Sequence, residues 1–150
     1  MKTLSDPARR AECCRRIALL APEAKGRWGK MSVHQMVCHL NDSFRVCVGE
    51  QKASPASNLF SRNVMKFMAL RVPLPWPHGI PTRPELDQVA GGGTPPAEWV
   101  RDCAELQAWI ERFGTTTAYA AHPTFGEMGL RDWRVWGYLH VDHHLRQFGV

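Results

Sequence analysis

Ser32-Val33-His34-Gln35-Met36-Val37-Cys38-His39-Leu40-Asn41-Asp42-Ser43-Phe44-Arg45-Val46-Cys47-Val48, closed by Gly49, is the stretch whose reading decides the fold. Ser32 and Gln35 have the spacing of a capping box, in which the serine oxygen accepts from the third helical N–H and the glutamine reaches back. Val33, Met36, Val37, Leu40, Phe44 and Cys47 then recur at helical spacing and make one apolar face. His39 lies at the border of that face, beside Met36 and Ser43. A neutral imidazole at such a border needs a specific partner. The segment is therefore predicted to be a helix that packs by one face and carries a histidine toward the interior.

Outward from this helix, the flanking segments read the same way. Asp6-Pro7 offers an N-cap with proline at the first helical position, so a helix to about Leu20 is expected. A shorter helix is predicted over residues 59–71. It is followed by Pro73-Leu74-Pro75-Trp76-Pro77-His78-Gly79-Ile80-Pro81-Thr82-Arg83-Pro84, which suits neither helix nor central strand. Gly91-Gly92-Gly93 ends this connection, and Thr94-Pro95 is expected to cap the next helix. There Trp99, Cys103, Leu106, Ile110 and Phe113 alternate by four and three as a bundle-facing seam, with Gly114 just past the end. A last helix is predicted over residues 130–148, and nothing reads as a sheet. Four main helices, with a long crossover over residues 49–94 between the second and third, imply an all-α four-helix bundle. The 150 residues suffice for one such domain, residues 1–150.

Composition narrows the partners. Hydrophobic residues make up 44% and charged residues 22%, which argues for a globular chain rather than a disordered one. The net charge of +5 comes from scattered basic residues, with no dense run and no nucleic-acid-binding signature. No nucleic-acid partner is expected, and no apolar run is long enough for a membrane span. Five cysteines, an odd number without a CxxC pair, argue against a disulfide framework and suit a reducing cytoplasm. Cys38 beside His39 is conceivable as a thiolate ligand. Neighbouring helical side chains point about 100° apart, however, so a small buried hydrophobe is the preferred reading.

The chemistry concentrates in Tyr138-Leu139-His140-Val141-Asp142-His143-His144-Leu145. His140 and His144 lie about 40° apart on one face, one turn along the axis, where two imidazoles can grip one metal ion. Trp133, Trp136 and Gly137 fall on the same stripe, and His144 is preferred over His143 as the partner of His140. An HxxxH pair alone is more often a hydrogen-bonded or solvent-facing pair. His39 on a second helix supplies a third donor, and three protein nitrogens leave coordination positions open for water or substrate. His122 and Phe125 are candidates for the mouth of a pocket, although His122-Pro123 also reads as the end of an extended segment. Trp136, with Trp28 and Trp133, reads as core or pocket wall. Asp42 is placed either to orient a ligand or on a solvated face. No Ser-His-Asp pattern, phosphate loop or dinucleotide fingerprint is present. Val135, Tyr138, Leu139 and Leu145 point away from the histidine stripe, so the flanks of the last helix are expected to meet the crossover or another subunit.

Trp28-Gly29-Lys30-Met31-Ser32, then Gln35-Met36 and His39-Leu40, resembles the second-helix signature of the DinB/YfiT-like four-helix-bundle metalloenzyme superfamily. Trp76-Pro77-His78-Gly79, Pro81-Thr82-Arg83-Pro84-Glu85, His122-Pro123-Thr124-Phe125-Gly126 and His143-His144-Leu145-Arg146-Gln147-Phe148-Gly149 look like a bacterial branch of it. The likeness runs over nearly the whole chain, with one departure: Gly129 stands where a serine or similar cap is expected. The resemblance implies that His39, His140 and His144 hold a divalent metal, zinc or nickel. Because only these three combine a bundle-facing position with a spacing that brings imidazoles together, His34, His78 and His143 are expected to be dispensable. It further implies a homodimer and a low-molecular-weight thiol as cosubstrate, as in the thiol-dependent transferases and a mycothiol-dependent maleylpyruvate isomerase of that superfamily. The function expected is a metal-dependent thiol transferase or hydrolase acting on a small electrophilic substrate. The alternative is a non-catalytic metal- or ligand-binding stress-response protein.

Overall fold

The first two helices start on the local capping signals expected of them. A computed structural model describes all 150 residues. Its regular structure comprises five α-helices: α1 (Pro7–Ala18), α2 (Val33–Cys47), α3 (Lys66–Arg71), α4 (Trp99–Thr115) and α5 (Leu130–Gln147), with no strand. Asp6 caps α1 by accepting from the Ala8 N–H at 2.9 Å. Both arms of the α2 capping box are made, Gln35 N–H to Ser32 Oγ at 3.1 Å and Ser32 N–H to Gln35 Oε1 at 2.9 Å. Gly129 gives α5 no side-chain cap. The predicted helix over residues 59–71 is α3 preceded by a π-helical turn, Ser61–Met65.

The start of α4 differs from expectation. Glu98, not Thr94, caps it, accepting from the N–H groups of Val100 at 3.1 Å and Arg101 at 2.6 Å. Thr94 is already committed: its N–H and hydroxyl donate to Asp42 at 2.6 and 2.8 Å. Asp42 is thus neither solvated nor directed at a ligand. It is fully buried and ties the end of the crossover to α2, while Arg45 pairs with it at 2.6 Å.

The helices α1, α4 and α5 pack on one another, and α2 packs on α4. Twelve of the fifteen residues of α2 are buried, so this helix runs through the core rather than along its surface. By contrast, α2 and α5 are not in close backbone contact; they face each other across a cavity. The N-terminal segment and α4 press close on α5 at Gly137, where a Cβ would lie 2.8 Å from Phe113 and 2.9 Å from Leu4. This close approach excludes any larger residue there.

The flanks of α5 find cover inside the chain. Val135, Tyr138 and Leu145 are buried, Tyr138 donates to Glu12 of α1 at 3.3 Å, and Arg16 of α1 pairs with Asp142 at 2.6 Å. The apolarity of α5 therefore calls for no second subunit. Exposed apolar side chains gather instead on the approach to α3 and on α3 itself, at Leu59, Phe60, Val64, Phe67 and Met68. No helix is long and apolar enough to cross a membrane.

The crossover is anchored at both ends. Gln35 donates to the Gln88 carbonyl at 3.1 Å, and Gln88 to the Thr94 carbonyl at 2.9 Å. At its other end, Ala56 N–H donates to the Pro123 carbonyl and Ser61 Oγ to the Thr124 carbonyl, each at 2.8 Å. These anchors close the crossover over the gap between α2 and α5 and so create the cavity.

Candidate metal centre

Helical spacing brings His140 and His144 to one face of α5, and the burial of α2 carries His39 opposite them. One ligand atom from each of the three lies within 4.8 Å of the others. The ring centroids are 5.4 Å apart for His39 and His140, 5.0 Å for His39 and His144, and 5.0 Å for His140 and His144. His39 and His144 are buried, and His140 is half-buried at the cavity wall.

Two of the rings are held in one tautomer. His39 Nδ1 lies 3.0 Å from the Leu86 carbonyl, an acceptor only, so Nδ1 carries the proton and Nε2 the lone pair. His144 Nδ1 lies 2.9 Å from Gln147 Oε1. The amide of Gln147 is oriented in turn by donating to the Trp28 carbonyl at 2.8 Å, so its oxygen faces the histidine. His144 therefore also keeps Nε2 as its lone-pair nitrogen. Such partners set the ring orientation and basicity of a ligating histidine. Burial pushes His39 below the ordinary imidazole range; burial and the neighbouring histidines hold His140 and His144 well below it. All three are neutral, the form that ligates a metal.

The cluster opens on a cavity of about 630 Å³ whose walls come from α2, the crossover, residues 122–125 and α5. Its lining is mainly apolar or aromatic, including Met65, Met68, Trp76, Ile80, Phe125 and Trp136. Asp87 is the one carboxylate in that lining, and its Oδ1 accepts from the N–H groups of Val89 and Ala90, both at 3.1 Å. Trp28 stacks on His78 with centroids 3.9 Å apart and planes 8° from parallel.

The structure therefore brings His39, His140 and His144 together, with His122, Phe125 and Trp136 on the wall of the same cavity. His143 also lines it, but its ring sits against Trp28, Trp76 and His78 and does not join the ligand-atom group. Trp133 is core, whereas Trp28 is wall. His34 lies elsewhere, on Asp102 at 2.8 Å. Cys38 is buried and its thiol is pushed up to about 12, first by burial, so it behaves as a small hydrophobe. Sequence reasoning missed Gln147, which the i, i+3 spacing from His144 on one helix face signals. It had no means of finding the Leu86 carbonyl, because a backbone partner across 47 residues leaves no pattern.

No curated protein and no solved structure matches the chain. A match over residues 8–149 covers nearly its whole length and places all three clustered histidines inside it. The chain belongs to a family of proteins of unknown function, DUF1569.

Proposed function

We propose that this protein is a divalent-metal-dependent enzyme, a thiol-dependent transferase or a hydrolase, acting on a small and largely apolar electrophile. The observation that carries the reading is the convergence of three neutral imidazoles at one wall of a substrate-sized cavity. Their chemistry fits a metal. Two of them have spent Nδ1 on fixed acceptors and keep Nε2 free, and three nitrogen donors suit zinc or nickel better than calcium or magnesium. His39, His140 and His144 would hold the ion. An ion held there would supply Lewis-acid chemistry, favouring the anionic form of a thiol or water beside it. The chain's own residues do the rest: Leu86 and Gln147 orient two imidazoles, and Met65, Met68, Trp76 and Ile80 offer an apolar surface to the substrate's body.

On the same reading the family is a branch of the DinB/YfiT-like superfamily, and α1, α2, α4 and α5 are the four helices of its bundle. The homodimer implied by that likeness would use a surface other than α5; light scattering at micromolar concentration tests it.

The test is metal analysis of the purified protein, followed by a screen of small electrophiles with several low-molecular-weight thiols. We expect roughly one zinc or nickel per chain and turnover that disappears on chelation and returns with metal. Stoichiometric metal without turnover favours the second reading, a non-catalytic metal- or ligand-binding stress-response protein. That reading is supported by the cavity's single carboxylate, Asp87, whose Oδ1 is occupied by backbone groups and which is poorly placed as a general base. A protein with no affinity for either ion overturns the metal-dependent reading and the metal-binding form of the second.

A further inference from the structure

The turn that carries His122 commits nearly all of its polar backbone. His122 and Gly126 exchange N–H to carbonyl bonds at 2.8 Å in both directions, and the Pro123 and Thr124 carbonyls are taken by Ala56 and Ser61. The two remaining donors, the N–H groups of Thr124 and Phe125, point at His122 Nδ1 at 3.0 and 3.1 Å. Gly126 closes the turn at φ +68, a left-handed conformation that favours glycine, with Arg62 packed over it. The turn thus fixes one imidazole in one orientation.

Two N–H donors on Nδ1 make that nitrogen an acceptor, so the proton of the neutral ring resides on Nε2. The ring stacks on Phe125 at 4.6 Å and abuts Trp133 and Trp136, and the residue lines the cavity. Nε2 has no partner in the protein and is not sealed from solvent, which leaves its N–H free for a ligand in the cavity that the residue lines. Trp136 touches both His122 and His140, which places this donor on the same wall as the three-histidine cluster.

We propose that His122 is a fixed, neutral hydrogen-bond donor that receives an oxygen of the ligand, of carbonyl type, while the ligand's apolar body lies against the aromatic wall. Acting beside the metal, it rests on the metal reading above. It is not a general base: the lone pair of Nδ1 is occupied, and Nε2 has none to offer. Burial pushes its pKa down to about 4, so the ring stays neutral at physiological pH. The substrate class that follows is a small molecule with an apolar body and a carbonyl or comparable acceptor.

The test has two arms on the full chain. With imidazole nitrogens labelled, long-range proton–nitrogen correlations at pH 7 should show His122 protonated on Nε2 only, with no metal required. A proton on Nδ1, or an averaged tautomer, overturns the inference. In the second arm, zinc-loaded protein is titrated calorimetrically with benzohydroxamate, an aromatic probe bearing a carbonyl. His122→Phe keeps the ring packing and removes the donor; it should retain zinc and bind the probe about tenfold more weakly. His122→Gln, which restores an N–H near the same point, should recover part of the loss. Equal affinities in wild type and His122→Phe overturn the proposal. A wild type that takes up no zinc breaks the metal reading alone, and the tautomer measurement then decides this one.

Discussion

Two clusters of ligand-type side chains flank α2, each with its donor atoms within 4.8 Å of one another: His39 with His140 and His144, and His34 with Cys38 and Asp102. Only the first is arranged to receive a cation. Its imidazoles border a cavity, and the Nδ1–H groups of His39 and His144 are spent on fixed acceptors, which leaves their Nε2 lone pairs free. In the second, Asp102 is already saturated. It accepts from His34 at 2.8 Å, from the N–H groups of Ala97 and Glu98 at 3.2 and 3.3 Å, and from Arg101 at 3.0 Å. Cys38 lies 3.8 Å away as a thiol donor. This cluster fastens α2 to the first turn of α4. Proximity of donors is common to both; what separates them is where the lone pairs and the positive charges point.

The largest expected effect breaks the comparison outright. Alanine at His39, His140 or His144 should each remove stoichiometric zinc or nickel after dialysis, whereas alanine at His34, Cys38 or His143 should leave metal content unchanged. Loss of metal from His143→Ala with retention in His144→Ala would reverse the assignment on α5. Next, Asp102→Ala leaves two backbone N–H groups, His34 and Arg101 without their acceptor, and should cost about 3 kcal/mol in chemical denaturation. No change in the denaturation midpoint would remove the fastening role.

A smaller effect is read in acid. Burial alone would raise Asp102, but its hydrogen bonds from His34, Ala97 and Arg101 outweigh that and hold it at about 2. A carboxylate depressed in the folded state contributes stability above its unfolded pKa and loses it as pH falls through the folded one. About 2 kcal/mol should therefore be present at pH 5 and fade between about pH 4 and pH 2. Asp102→Asn should flatten that limb of the stability curve; an unaltered limb would mean that the carboxylate is not the group titrating. Smallest is Gln147→Leu, which deprives His144 of its acceptor without touching a ligating nitrogen. Metal affinity should fall by about tenfold, with stoichiometry kept at saturating metal. Unchanged affinity would show that packing alone orients the ring.

Much of this was legible in the chain itself because the signals are local. The capping box at Ser32, the Asp6-Pro7 start and the four-three seam of α4 each depend on residues within one or two turns of each other. So does the pairing of His140 with His144, since helical geometry decides which side chains share a face. Local patterns misled where tertiary contacts competed for the same groups. Thr94 reads as an N-cap, but a buried carboxylate on α2 takes its donors and the cap passes to Glu98. For the apolar flanks of α5 the pattern left either the crossover or another subunit as cover, because periodicity gives the width of an apolar face and not what covers it; α1 and Leu4 cover much of it here.

By itself, then, the sequence determined an all-helical chain, the order of its helices and the three histidines that helical spacing and burial favour. Only the tertiary structure decided that a carbonyl from the crossover fixes His39, that Gln147 fixes His144, and that a clamped turn holds the Nδ1 of His122 as an acceptor. The reason is physical. A tautomer is set by the single atom opposite a ring nitrogen, and in each crossover or turn contact that atom is backbone, which every residue carries and no pattern distinguishes.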